Sequence, residues 1–295
     1  MNILKRKYCK LQISWLKSFG GSDEKISILQ YYLKNNKKPD LRNPKEFMEK
    51  TLWLKLYYYT EDYGKFADKY DVRRYVEEKI GKEYLNEVYG IYTKVDDISF
   101  DELPNQFVLK GTHGSGYNII VKNKNELNLQ ETKIKLNQFL KDNYYYRFRE
   151  LIYKNLTPRI IAEKYISEID RDALVDYKFH CFHGEPKYVF VQKNKQENLR
   201  KSFYDLEWNK IEPEKYIAAF SEAHFEKPSN FDEMIRVAKK LSEGFIFMRV
   251  DLYSIGGKII FGELTFFSNA GLIRSSIERF NTEFGELMQL PQETN

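Results

Sequence analysis

The chain has 295 residues, and its net charge of +5 is the small difference between 48 basic and 43 acidic side chains interspersed along its length, unlike the clustered basic footprint of a nucleic-acid binder. Its two cysteines, Cys9 and Cys181, are far apart, which excludes a disulfide framework and a multi-cysteine zinc site and makes a reducing cytoplasm the expected home. The length suffices for one large or two to three small packed units, and 23 tyrosines with 21 phenylalanines supply amphipathic rings for their cores.

The opening "MNILKRKYCKLQISWLKSF" mixes basic and apolar residues at roughly helical spacing. It has no apolar run long enough for a secretory signal or a membrane span, which leaves a peripheral membrane-surface contact as its expected use. "NPKEFMEKTLWLKLYYY" predicts a helix with Asn43 as N-cap and Pro44 in the first turn, and "DKYDVRRYVEEKIG" a second one stopped by Gly81. "QFVLK" and "YNIIVK" read as strands flanking a glycine-rich loop. "NELNLQETKIKLNQFLKDNYYYRF" is helical again, and "RIIAEKYI", residues 159–166, is a buried strand.

"LVDYKFHCFHGEPKYVFVQ" predicts two strands around the turn His183-Gly184-Glu185-Pro186, followed by a short strand in "FYDLEW". A helix in "NFDEMIRVAKKLSEG" ends at Gly244, and "FMRVDLYSIGGKIIFGELTFF" closes as a hairpin around Gly256 and Gly257. Helices and hairpins alternate, so the expected class is α+β with largely antiparallel sheets rather than a doubly wound parallel one.

The loop in "FVLKGTHGSGYNIIVKN", residues 107–123, could turn backbone N–H groups toward phosphate, with Lys110 as a point charge beside them. Residues 111–116 have P-loop spacing, but Tyr117 stands where that motif needs lysine, and the third glycine of a dinucleotide fingerprint is absent. Taken alone, the loop reads more readily as a structural hairpin turn.

Its companions lie in the second half. A three-residue connection, Ile255-Gly256-Gly257, would put Asp251 opposite Phe261 and Arg249 opposite Glu263, all on one face; a two-residue connection would put Asp251 and Glu263 on opposite faces. We expect the former, because two converging carboxylates beside phosphate suit Mg²⁺, a hard ion that takes oxygen ligands. A plain Arg249–Glu263 cross-strand ion pair is the alternative. Lys178, between Tyr177 and Phe179, adds a cation or merely snorkels.

In this order the pieces resemble the ATP-grasp superfamily, and more closely its TupA-like branch, associated with bacterial cell-surface polysaccharides. "NPKEFMEKTLWLKLY", "ADKYDVRRYVEEKIG", "LPNQFVLKGTHGSGYNIIVKN", "PRIIAEKYI", "DYKFHCFHGEPKYVFVQ" and "RVDLYSIGGKIIFGELTFFSNAG" carry the likeness, over about residues 40–275. It implies an ATP-grasp fold of two α+β subdomains whose antiparallel sheets clasp ATP: a mostly helical region at 1–65, a subdomain with the flap at 66–165, and one with the Mg²⁺-binding hairpin at 166–295.

By position, the resemblance implies that Lys110 and Lys178 contact the nucleotide phosphates under a flap of Gly111, Thr112, His113, Gly114, Ser115 and Gly116. Glu163, Lys164, Tyr165 and Ile166 would form the adenine hinge. Asp251 and Glu263 would hold Mg²⁺, with Thr265 where the branch usually has asparagine, and Arg249 would act with Lys178 on the transferred phosphoryl group. Lys69, Arg73 and Asn269 are assigned to the substrate, and His113, His180 and His183 are candidates for proton transfer.

The implied reaction is ATP-dependent joining of a carboxylate to an amine through an acylphosphate, on a sugar carboxylate such as a uronic acid, at the inner face of the membrane. The alternatives are a sugar-nucleotide glycosyltransferase, suggested by Asp170-Arg171-Asp172, and a non-catalytic ATP-binding protein.

Overall fold

The computed structural model describes residues 3–166, 174–195, 198–215, 220 and 223–291, so Asp170-Arg171-Asp172 lies outside the described residues. Two helices lead, α1 (Ile3–Ser18) and α2 (Asp23–Asn35), the second capped by Ser22, whose hydroxyl accepts the Lys25 N–H. Helix α3 (Phe47–Trp53) starts later than Asn43. The Asp40 carboxylate accepts the N–H groups of Arg42 and Asn43, which commits that stretch to a turn, and Glu46 becomes the N-cap in a capping box with the buried Glu49. A π-helical turn, Leu54–Tyr58, continues α3, and α4 (Val72–Ile80) stops at Gly81, whose φ of 108° disfavours any side chain.

The smaller sheet contains β1 (Val88–Tyr92), β2 (Phe107–Gly111), β3 (Asn118–Val121) and β4 (Ile160–Lys164), in the order β1-β4-β2-β3 with every neighbour antiparallel. Helix α5 (Leu129–Lys141) covers it, and Phe107, Leu109, Leu136, Ile160 and Ala162 form its core.

The larger sheet contains β5 (Val175–Phe182), β6 (Glu185–Lys195), β7 (Asn198–Tyr204), β8 (Lys210–Ile211), β9 (Phe247–Ile255) and β10 (Lys258–Thr265), in the order β10-β9-β5-β6-β7-β8. Strand β7 ends at Tyr204, so "FYDLEW" is mostly turn: Asp205 accepts the Asn209 N–H at 2.7 Å and Trp208 sits at φ 73°. Helix α6 (Phe231–Ser242) buries Phe231, Met234, Val237, Ala238 and Leu241, an i, i+3, i+4 stripe, in the core beneath this sheet. Helix α7 (Arg279–Leu287) packs Phe280 and Phe284 into the same core. No helix among the described residues is long and apolar enough to cross a membrane.

Candidate active site between the two sheets

The Asp251–Glu263 hairpin differs from the expected register and reaches the expected face by another route. The connection has two residues, Gly256 and Gly257, both at positive φ (55° and 79°), so Ile255 pairs with Lys258. Continued evenly, that register would turn the two carboxylates to opposite faces. A bulge between Phe261 and Glu263 inserts Gly262 as an extra residue, and Glu263 then pairs with Asp251 and Thr265 with Arg249. Glycine suits the bulge because a Cβ there would lie 2.9 Å from the Asp251 carbonyl.

Across three strands this makes two polar rows on one face: Lys178, Asp251 and Glu263, then His180, Arg249 and Thr265. Lys178 Nζ donates to Asp251 Oδ2 at 2.6 Å, and Arg249 grips the same carboxylate through Nε and Nη2, both at 2.7 Å. Arg249 Nη2 also donates to Glu263 Oε1 at 2.9 Å, and the Thr265 hydroxyl to that oxygen at 3.1 Å. Burial pushes the Asp251 carboxyl up, but Arg249 and Lys178 together outweigh it and hold it below the usual carboxylate range.

The opposite wall comes from the smaller sheet, where Lys110 on β2 pairs with Glu163 on β4 at 2.6 Å. Between the walls lies a cavity of about 220 Å³ that also meets Lys69, Arg73, Ile166 and Lys178. Lys69 lies in the turn before α4 rather than a helical turn above Arg73, and its ammonium donates to the Gly114 carbonyl, tying the flap to this wall. A second cavity, about 340 Å³, shares Glu263 with the first and meets Ser115, Arg249, Thr265 and Asn269. Its floor includes a left-handed run at Asn269, Ala270 and Gly271 (φ 52°, 55° and 69°), a conformation that costs a non-glycine residue roughly 1–2 kcal/mol.

Much of the flap is occupied by its own framework. The N–H groups of Gly111 and Thr112 donate to the carbonyls of Tyr117 and Arg159, and the Thr112 hydroxyl bonds the fully buried Asp68. His113 is buried with Nε2 2.9 Å from the Phe139 carbonyl, leaving Ser115 and Gly116 as the exposed tip. In the hinge segment, the Lys164 N–H and carbonyl already engage Glu87 and Asn86, while Ile166 reaches the cavity. His113, His180 and His183 line neither cavity; burial pushes the His180 ring down to about 3, and His183 Nε2 accepts the Gln289 N–H.

Two carboxylates and a hydroxyl are a hard-oxygen donor set, and among the described residues no group of three or more His, Cys, Asp or Glu side chains converges as a complete cage. The set therefore fits Mg²⁺ completed by phosphate oxygens and water.

A family model for TupA-like ATPgrasp proteins matches residues 49–289. The chain belongs to the TupA-like ATP-grasp family. Its two antiparallel sheets with a helical N-terminal region are the ATP-grasp fold. No curated protein matches the chain. Solved structures similar to this ATP-grasp chain include D-alanine–D-alanine ligase from Bacillus anthracis complexed with ATP, at 15% identity over 75% of this chain and 61% of that one, TM-score 0.42. D-alanyl-alanine synthetase A from Vibrio cholerae is similar at 11% identity over 75% of this chain and 62% of that one, TM-score 0.42. N5-carboxyaminoimidazole synthase from Aspergillus clavatus, in complex with ADP and a ribonucleotide, is similar at 12% identity over 77% and 52%, TM-score 0.41. The chain thus spans 61% of the length of the first of these ligases.

Several residues of this ATP-grasp site escaped the sequence reading. Asp176 lies in the inter-sheet cavity, and its signal was the alternation Asp176, Lys178, His180 along β5, which puts all three on one face. Glu150, Tyr144 and Tyr153 line the second cavity from short helical turns and the bends beside them, too short for a periodicity to announce them.

Proposed function

We propose that the chain is an ATP-dependent carboxylate–amine ligase that activates a carboxylate as an acylphosphate and passes the acyl group to an amine. The observation that carries this reading is the hydrogen-bonded row of Arg249, Asp251 and Glu263 that joins two cavities: Asp251 and Glu263 line the cation-rich one between the sheets, Arg249 and Glu263 the second. A phosphoryl group has to pass along such a row from nucleotide to acceptor.

In this reading Lys110 and Lys178 leave their carboxylate partners to take the phosphates, with Lys69 and Arg73 adding positive charge to the same cavity. Asp251 and Glu263 would hold Mg²⁺, assisted by Thr265; bound there, the ion would offset the charge on the phosphate oxygens. Arg249, fixed by its bidentate grip on Asp251, holds the transferred group against the acceptor. Ser115 and Gly116, at the exposed flap tip, close over the reacting atoms and keep water from the acylphosphate. Asn269 contacts the acceptor in the second cavity.

The acceptor we propose is a sugar carboxylate, a uronic acid of a surface polysaccharide or its precursor, with an amino acid or related amine as partner; the family association supports this choice. The enzyme would work at the inner face of the membrane, touching it through α1. Mass spectrometry of products from ATP, Mg²⁺ and a library of uronic acids with amino acids tests the reading. An amide product with stoichiometric ADP is expected, and ADP-free incubations across the library would overturn it.

A further inference from the structure

The second cavity holds a carboxyl that phosphoryl transfer does not use. Arg149, in the left-handed region at φ 59°, turns the chain between two short helical turns, Tyr145–Phe148 and Leu151–Tyr153. Next to it Glu150 is only 5% exposed and lines the cavity. Among the described residues its carboxyl oxygens accept no hydrogen bond. Lys55, whose charge acts on it, is fully buried and spends its ammonium on the carbonyls of Phe148 and Ala270, at 2.9 and 3.0 Å. A buried carboxyl without donors is costly to keep.

The surroundings say what would complete it. The rings of Tyr144 and Tyr153, 4.9 Å apart, border the same cavity, and a cation is attracted to such faces. The same cavity is lined by Arg249, Glu263 and Thr265, the end at which the acylphosphate would form. A cation with several N–H donors, seated between the aromatic rings and that end, satisfies Glu150.

Resting on the ligase reading above, we infer that Glu150 binds the ammonium group of the amine co-substrate and removes its proton before attack. The Glu150 carboxylate takes one proton from R–NH₃⁺, and the freed amine lone pair attacks the acyl carbon. The C–N bond forms as the C–O bond to phosphate breaks; the departing phosphate takes the second nitrogen-bound proton, and Glu150 returns the first to solvent.

The other groups facing this cavity are poor bases for the step. Lys34 and Arg249 are cations, Glu263 belongs to the metal-binding row, and burial raises both tyrosine hydroxyls, Tyr144 to about 12, so they stay protonated. Burial also pushes the Glu150 carboxyl up, against the pull of Lys55, toward the range in which a general base works best.

The test separates the two half-reactions. ATP, Mg²⁺ and a pool containing glucuronate and galacturonate are supplied either with hydroxylamine, an unprotonated nucleophile near neutral pH, or with a pool of amino acids whose amines are protonated. Wild type is expected to give hydroxamate from the first mixture and amide from the second. Glu150→Gln should keep the hydroxamate rate within about twofold and lose about 10²–10⁴-fold in amide formation. If that variant melts early, Glu150→Asp, which keeps the charge but withdraws it, should show the same split at smaller size. Undiminished amide formation, or equal loss of both products in a folded variant, overturns the role of Glu150 alone. Wild type that makes neither product overturns the ligase reading and this inference together.

Discussion

Asp251 is buried within the larger sheet, on the strand between those that carry Lys178 and Glu263. The proposed role beside a metal and a phosphate needs it ionised while buried, and Arg249 and Lys178 favour that state by surrounding it with three short hydrogen bonds. Glu263 is the more exposed partner, at 44%, and meets the site through Arg249 and Thr265. Lys110, across the cleft, is held by Glu163 at 2.6 Å until an anion competes for it. Lys110→Ala and Glu263→Gln are each expected to lower ATP-dependent amide formation by about 10²–10³-fold, the usual loss when one preorganised charge-stabilising group is removed. Both should fold normally, since Lys110 is part-exposed and Glu263 more so; turnover at wild-type level in either would reject the site. That Lys110, Asp251 and Glu263 stand out in the sequence follows from a charge inside apolar strand text being conspicuous; the structure brings the three to one cavity. Glu150 does not stand out, because it lies in irregular chain where a carboxylate is unremarkable until burial is known.

At the scale of elements, the hairpin shows why register is hard to read from sequence. A single inserted glycine carries no polarity, so the alternation of Asp251 and Glu263 with apolar neighbours is equally compatible with a long turn or a bulge. Helix α1 shows the reverse, an amphipathic pattern legible in sequence and kept in the structure. Tyr8, Leu11 and Trp15 form one stripe at 60–68% exposure, while Cys9 faces inward. The helix carries Lys5, Arg6, Lys7, Lys10 and Lys17 and no acid, so pairing two copies of this face would set like charges against each other, whereas an anionic bilayer complements it. The chain should therefore sediment with phosphatidylglycerol vesicles, release at about 0.5 M salt, and ignore pure phosphatidylcholine. Leu11→Glu with Trp15→Glu should abolish binding without lowering the melting temperature, because both side chains already face solvent. Failure of wild type to bind the anionic vesicles would end this assignment, and a dimer dissolved by the same substitutions would give the face to a second copy.

For the whole molecule, Lys110 and Glu163 of the smaller sheet and Lys178, Asp251 and Glu263 of the larger one line a single cavity, so residues far apart in the chain order of strand lysine, hinge and acidic hairpin meet between the sheets. What order could not supply was the second cavity, which is assembled from five separate stretches of chain around Lys34, Ser115, Glu150, Arg249 and Asn269. The two sheets have separate cores, so a nucleotide lying between them touches both and should stabilise the chain as a unit. At a hundred times its Kd, a ligand specific to the folded state adds about 2.7 kcal/mol, enough to raise the melting temperature by about 5 °C in a protein of this size. ATP with Mg²⁺ should produce that rise, and Lys110→Ala should shrink it, because Lys110 and Lys178 come from opposite sheets and only a ligand spanning the cleft draws on both. A rise with nucleotide sugars and none with ATP would instead favour glycosyl transfer. That outcome would leave the cation-rich cavity as a diphosphate site, with Arg249 and Glu263 a cross-strand ion pair and no phosphoryl group to pass.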